Sequence, residues 1–331
     1  MRLSVVSTMY KSAPYLREFH ARVSAAASLL TNDFEIILVN DGSPDESLDV
    51  AVALYGEDTR VRVVDLSRNF GHHKAMMTGL EYARGELVYL LDCDLEEEPE
   101  LLGAFVKRMR EEHADVVYGI QAQRKGKVFE RITGAAYYRL FNVLSTQPIP
   151  ANLITLRLMT RRYVQALVKH REREVTIGGL WAATGFRQVG FVITKHSRAE
   201  TTYDLRRKIS HVVNSITAFS SRPLVFIFYL GVGISLTAGL AALWMVLRRL
   251  FFGHLLAGWA SLIVSVWLLG GLTLMCLGVI GIYLSKIFME TKQRPYTIVR
   301  EVYEHAGPTR PTVAPSGRVL THHVGSDGSD D

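Results

Sequence analysis

The stretch "YLLDCDLEEEPE", residues 89–100, opens as an apolar run and turns acidic at Asp92. Asp92 and Asp94 stand two apart where the apolar run ends. Successive strand side chains point to opposite faces. A strand continuing to residue 94 would turn both carboxylates one way and Cys93 the other. Two hard oxygen donors on one side suit Mg²⁺ or Mn²⁺, which take few protein carboxylates and fill their shell with water and phosphate oxygens. Glu96 would extend such a metal site. Glu97, Glu98 and Glu100 fit the start of the next helix, whose dipole favours negative charge. The competing reading is an acidic turn that only caps that helix.

The neighbouring sequence bears on the choice. Apolar, β-branched runs "LSVVST" (3–8), "FEIILVN" (34–40), "VRVVDLS" (61–67), "ELVYLLD" (86–92) and "DVVYGI" (115–120) read as buried strands. Helical stretches fill the gaps at 13–30, 44–55, 72–84 and 98–112, with Pro44 and Pro99 near two helix starts. The alternation predicts an α/β fold: a mostly parallel, doubly wound, Rossmann-like sheet over residues 1–202. Such sheets bind ligands beyond the carboxyl ends of their strands. Asp41 and Asp92 both fall at such ends, which favours a metal site over a plain cap.

The 331 residues are 48% hydrophobic with a net charge of +6. That balance fits a membrane surface or a phosphorylated substrate, and the basic residues lack the arrays of a nucleic-acid binder. Two distant cysteines, Cys93 and Cys276, give neither a disulfide framework nor a zinc site. "MRLSVVSTMY" reads as a first strand, not a signal peptide. No charge occurs from Pro223 to Leu247 or from Leu255 to Ser285. Each stretch exceeds the roughly 20 residues a bilayer core needs, so residues 223–286 are predicted to form a two-span hairpin. A pair of buried core helices is the alternative. Arg206, Arg207, Lys208 and Arg222 precede the hairpin, Lys286, Lys292 and Arg294 follow it, and only Arg248 and Arg249 charge its connection. The positive-inside rule then puts both termini on the cytoplasmic side of the inner membrane. Basic amphipathic stretches at 129–144 and 205–219, the second within a juxtamembrane segment 203–222, suit either the bilayer interface or packing on the sheet. Residues 287–331 read as a cytosolic tail, disordered from about 307.

Neither a Gly-x-Gly-x-x-Gly after the first strand nor a Walker loop is present, so the common dinucleotide and NTPase readings fail. A nucleotide diphosphate bridged through a metal fits better, since the cation neutralises the departing pyrophosphate. "VNDGSPD" (39–45) sets Asp41 where it could accept from a base edge, or simply form a turn. "SRNFGHHKAMMTG" (67–79) puts Arg68, Asn69, His72 and Lys74 at a strand-to-helix junction suited to an anion.

In order, "VNDGSPD", "SRNFGHHKAMMTGL", "LVYLLDCDLEEEPEL", "YYRLFN", "RLMTRR" and "GLWAATGF", followed by two apolar stretches, resemble the family 2 glycosyltransferases. The likeness spans about residues 1–300. It is greatest to the polyprenyl-phosphate branch, which includes dolichol-phosphate mannose synthase and bactoprenol glucosyltransferases. The resemblance implies a GT-A fold, a nucleotide-sugar donor, a divalent metal and inversion at the anomeric carbon. It also implies that Thr8, Tyr10 and Asp41 line the nucleotide pocket, and that Asp92, Asp94 and Glu96 bracket metal and diphosphate.

Four positions depart from the family pattern. Pro-x-Tyr-Asn becomes "STMYKS", with Thr8 and Lys11; Asp-Asp-Gly-Ser becomes "NDGS", with Asn40. Gly-Asp-Phe-Arg-Leu-Met becomes "ITLRLM", with Thr155 in place of an acid, and Gly-Glu-Tyr becomes "GIY", with Ile282. An alcohol acceptor needs a general base, whereas a phosphate monoester is already anionic and needs only positioning by cations. Arg124, Lys125, Lys127, Arg131, Arg157, His196 and Arg198 are the cations available for a polyprenyl-phosphate acceptor. The expected partners are therefore a nucleotide-sugar donor, a polyprenyl phosphate and the lipid bilayer, and no nucleic acid. Gly270, Gly271, Gly278 and Gly281 would permit a homo-oligomer by close helix approach. Two other functions stay open: transfer to a different acceptor such as a glycan or glycolipid, and a non-catalytic partner of a flippase.

Overall fold

The computed structural model describes residues 2–121, 153–172, 177–193, 222–252 and 258–305. The expected strands form as β1 (Leu3–Met9), β2 (Phe34–Asn40), β3 (Val61–Leu66), β4 (Leu87–Leu90) and β5 (Val116–Gln121). Every residue of β1, β2 and β3 is buried, as continuous apolar runs in a sheet covered on both faces should be. Between these strands lie α1 (Ala13–Ser28), α2 (Ser47–Glu57), α3 (His72–Tyr82) and α4 (Leu102–Glu111), the last entered through a 3-10 turn, Pro99–Leu101. Pro14 and Pro99 occupy first-turn positions, where a missing N–H breaks no bond.

β6 (Leu153–Thr160), α5 (Arg161–Leu167), α6 (Ile177–Ala183) and β7 (Gln188–Ile193) follow. The helices α7 (Arg222–Phe252) and α8 (Trp259–Thr291) come next, and the chain then forms β8 (Val299–Tyr303). The sheet order is β7-β5-β6-β4-β1-β2-β3-β8. β2 and β4 flank β1 in parallel, β3 continues parallel to β2, and β7 lies parallel to β5. β6 runs antiparallel between β4 and β5, and β8 runs antiparallel along β3. The fold is thus the expected GT-A-like, mostly parallel α/β sheet.

Leu16, Phe19 and Val23 of α1, Leu54 of α2 and Phe105 of α4 close over Leu3, Val5, Ile36, Leu38, Tyr89 and Leu158 to make the main core. α3 covers the opposite face. It approaches so closely that a Cβ on Gly79 would lie 2.6 Å from Val6 Cγ1 and 2.8 Å from Val39 Cγ2.

The chain divides into two compact units: residues 1–125, 150–201 and 295–331, and residues 126–149 and 202–294. β8 belongs to the first, so the expected cytosolic tail contributes a sheet strand before residue 306. In the second unit, α7 has 31 residues and α8 has 33. At about 1.5 Å per residue each is longer than the roughly 30 Å hydrocarbon core. Among the described residues, one stretch, Leu269–Thr291 in α8, is long and apolar enough to cross a membrane; the apolar stretch in α7 is the shorter Leu224–Ile234. Both helices expose large apolar side chains, among them Phe226, Phe228, Leu240, Leu274 and Leu284. The amphipathic stretches expected at 129–144 and 205–219 lie outside the described residues.

The α3 contact generates a test. Val6 and Val39 are β-branched and hold stiff rotamers, so Gly79→Ala should cost about 2 kcal/mol through overpacking. Denaturant unfolding of the purified protein measures it.

Candidate functional site

The ladder between β1 and β4 ends at Val6 opposite Leu90, with one further bond from Leu91 N–H to the Val6 carbonyl. Strand pairing therefore stops short of residue 94, and Leu95 takes a left-handed φ of 60°. The sidedness nevertheless continues. Leu91, Cys93, Leu95 and Glu97 are buried, while Asp92, Asp94 and Glu96 are partly open. Cys93 turns inward as expected, its thiol donating to the Thr8 carbonyl at 3.1 Å. Burial, reinforced by the charges of Asp92 and Asp94, pushes this thiol up to about 12. It stays protonated and holds the turn against β1.

Asp92 and Asp94 line a cleft of about 270 Å³ together with Thr8, Met9, Tyr10, Ser12, Asp41, Asn69, His72 and Cys93. This cleft lies at the carboxyl ends of β1, β2 and β4, where a doubly wound sheet binds ligands. Each side chain is placed by its own element. Thr8 is the penultimate residue of β1, and Tyr10, 47% exposed, follows the strand. Ser12 precedes α1, and its hydroxyl accepts the Tyr10 N–H at 3.1 Å.

His72 opens α3 and bridges two walls of the cleft. Its Nδ1 lies 3.0 Å from Thr8 Oγ1 and its Nε2 lies 3.4 Å from Asp92 Oδ1. With Nε2–H turned to the carboxylate, Nδ1 accepts the Thr8 hydroxyl. Asp41 follows β2 and lines the cleft. Its two carboxylate oxygens take the N–H groups of Phe70 at 2.7 Å and Gly71 at 3.0 Å. Burial pushes the Asp41 pKa up, and these bonds oppose it. Asp41 thereby clamps the β3–α3 loop that carries Asn69 and His72. Gly42 makes the clamp possible: its φ is 62°, and a Cβ there would lie 2.4 Å from the Asn69 backbone nitrogen.

Of the expected site residues, the structure brings together Thr8, Tyr10, Asp41, His72, Asp92 and Asp94. Four others fall elsewhere. Glu96 does not line the cleft; its N–H donates to Asp94 Oδ1 at 3.0 Å. No group of three His, Cys, Asp or Glu able to hold a metal forms among the described residues, and of the three expected carboxylates Asp92 and Asp94 line the cleft. Two open carboxylates beside a cleft still fit a hard divalent cation whose other ligands come from a diphosphate and water. Arg68 stacks over the Phe70 ring at 4.2 Å, and the Lys74 ammonium sits 5.9 Å from the Tyr296 ring; neither lines the cleft.

Arg157 is the largest departure. It is fully buried on β6 between Leu90 and Tyr118, with its guanidinium against the Trp181 ring. Its Nη1 and Nη2 have no hydrogen-bond partner among the described residues. Burial lowers its pKa to about 9, against the opposing pull of Tyr163 and Tyr118. Arg124, Lys125, Lys127, Arg131, His196 and Arg198 lie outside the described residues. Sequence reading placed Asn69 at the junction without assigning it to the site, and missed Ser12. The signal for Ser12 was its place before Ala13-Pro14 at a helix start.

A family model described as glycosyl transferase family 2 matches residues 4–168. A Mycobacterium tuberculosis protein, named for glycosyltransferases, is 52% identical over 303 residues, covering 92% of this chain and 89% of its own. The uncharacterized glycosyltransferase YkcC of Bacillus subtilis is 33% identical over 92% of this chain and 94% of its own. A prophage bactoprenol glucosyl transferase homolog of Escherichia coli is 29% identical, covering 91% and 99%. This chain belongs to the family 2 glycosyltransferases. The expected family and enzyme class therefore hold, and the enzyme is a glycosyltransferase.

The buried guanidinium gives a prediction with a definite sign. Arg157 Nε donates to the Thr155 carbonyl at 3.3 Å, but a buried cation with Nη1 and Nη2 unpaired and no carboxylate beside it is costlier than an apolar side chain of like length. Arg157→Met should therefore raise the thermal midpoint, equivalent to about 1 kcal/mol or more, in a melt at neutral pH. A large fall would mean that Arg157 is compensated in the folded protein.

Proposed function

We propose that this glycosyltransferase moves a sugar from a nucleotide-diphosphate sugar to a polyprenyl phosphate at the cytoplasmic face of the membrane, with inversion. The observation that carries the reading is the convergence of Asp92 and Asp94 with Thr8, Asp41 and His72 on one cleft at the strand ends. Asp92 and Asp94 would hold Mg²⁺ or Mn²⁺. When bound, the cation would neutralise the diphosphate as it leaves. His72, oriented by Thr8, keeps a polar N–H at Asp92 and fixes that carboxylate's direction. Asp41 holds the loop that opens α3, so the first amides of that helix face the anionic end of the donor.

The acceptor is inferred from charge. Thr155 stands where the family pattern has an acid, two residues before Arg157, the strand partner of Leu90. Asp92 lies two residues after Leu90, so extending the register past its last pair would bring Thr155 towards Asp92. A hydroxyl there supplies no general base. A phosphate acceptor needs none, because its oxygen is already anionic and attacks the anomeric carbon as the diphosphate departs on the opposite side. The 29% identical bactoprenol glucosyl transferase homolog supports the same acceptor class.

Chain connectivity supports the membrane placement. Residues before α7 and residues after α8 pair in one sheet. If Leu269–Thr291 crosses the bilayer, the chain must cross a second time between 194 and 298, and α7 is long enough for that crossing. Both ends would then share one side, and the positive residues flanking 223–286 favour the cytoplasm for it.

The test is transfer from a panel of nucleotide sugars to polyprenyl phosphate in membranes carrying the protein. Product should form with Mg²⁺ or Mn²⁺ and vanish in chelator, and Asp94→Ala should fall by about a hundredfold or more. Full activity of Asp94→Ala, or in chelator, contradicts the metal role. Transfer only to a glycan acceptor contradicts the lipid.

A further inference from the structure

β8 follows both long helices in sequence, yet it forms the edge of the sheet beside the strand that leads into the cleft loops. Its two ends are held differently. At the end remote from the cleft, Glu304 accepts from Arg62 at 2.8 Å and Arg84 at 2.9 Å. At the near end, Ser67 N–H donates to the Ile298 carbonyl at 2.9 Å, and Thr297 and Thr78 share a hydroxyl contact of 2.8 Å. Arg300 donates to the Ser67 carbonyl at 2.7 Å and pairs with Asp65 at 3.3 Å. Asp65 is almost wholly buried, and its other oxygen accepts Asn40 Nδ2–H at 2.8 Å. Asn40 passes the connection on, since its Oδ1 accepts Ser43 N–H at 3.0 Å. The Ser43 hydroxyl in turn lies 3.3 Å from the Met9 carbonyl and from Lys11 N–H.

We infer that Arg300 is a positioning residue of the donor site, acting through Asp65 and Asn40 on the 40–43 loop, so that the segment after the membrane helices completes the nucleotide pocket. The chain of contacts explains Asn40 chemically. An acid there would set two buried carboxylates against each other, whereas an amide gives Asp65 a donor and Ser43 an acceptor at once. Gly42, pressed on the Arg68–Asn69 backbone, carries the same constraint to the loop bearing Asn69. Through these links, Arg300 connects to the 40–43 loop, the end of β1 and the loop bearing Asn69 without itself lining the cleft. The donor part of this inference rests on the function proposed above; the loop-ordering part does not.

Full-length Arg300→Ala, Arg300→Lys and Glu304→Ala proteins in detergent separate positioning from plain stability. Arg300→Ala should speed hydrogen exchange at the amides of 41–44 and 70–71 by about tenfold and raise the donor KM by a similar factor with kcat nearly unchanged. Arg300→Lys should restore most of both. Glu304→Ala should lower the melting temperature while leaving the donor KM at its original value. Unchanged exchange in Arg300→Ala, or equal KM effects in Arg300→Ala and Glu304→Ala, overturns the inference. Because exchange is read without nucleotide sugar, a protein that binds no donor would defeat the proposed function and leave the loop-ordering result standing.

Discussion

The parallel pairing of β1 with β4 is the constraint on which the site depends. β4 ends at Leu90 opposite Val6 while β1 runs on to Met9, so the chain leaving Leu90 passes the last residues of β1 and Cys93 meets the Thr8 carbonyl. The Cys93 thiol and the buried side chains of Leu91 and Leu95 then fix which face of the turn looks inward. Asp92 and Asp94 are left on the open side by the same alternation that buries their neighbours. Sidedness here survives the loss of strand hydrogen bonding, because packing against β1 enforces it as strongly as the ladder did.

A second constraint comes from buried carboxylates that serve loops instead of ligands. Asp41 satisfies two amides of the β3–α3 connection, and Asp65 ties β3 to both Asn40 and Arg300. Burial pushes both acids up in pKa, with the hydrogen bonds pulling the other way. Such groups are costly unless paired, so the loops they hold are specified closely. The cleft is thus shaped by polar contacts behind its surface, and Thr8, Tyr10, Asn69, His72, Asp92 and Asp94 are among the residues that line it.

Much of this was legible in the sequence, for local reasons. The first 120 residues carry their periodicity in short windows, so five strands and four helices could be placed to within a few residues. Asp41 and Asp92 could be set at strand ends because those ends coincide with breaks in the apolar runs. The rest depended on non-local pairing. Nothing local says that "LITLRLMT" inserts antiparallel between β4 and β5, or that "VREVY" returns to the far edge after two long helices. Arg157 was misplaced for the same reason: once its segment joins the sheet, the side chain is covered by α6. Glu96 shares the side of Asp92 and Asp94 by alternation yet does not line the cleft, a difference that alternation alone cannot show.

The proposed role of Asp92 and Asp94 is to form together the divalent-cation and diphosphate site of the cleft. Calorimetric titration of a nucleoside diphosphate into the purified full-length protein tests it without requiring the correct sugar or acceptor. Binding should strengthen sharply with Mn²⁺ and lose that dependence in Asp92→Asn and Asp94→Asn. Manganese-dependent binding that persists unchanged in both variants would contradict it.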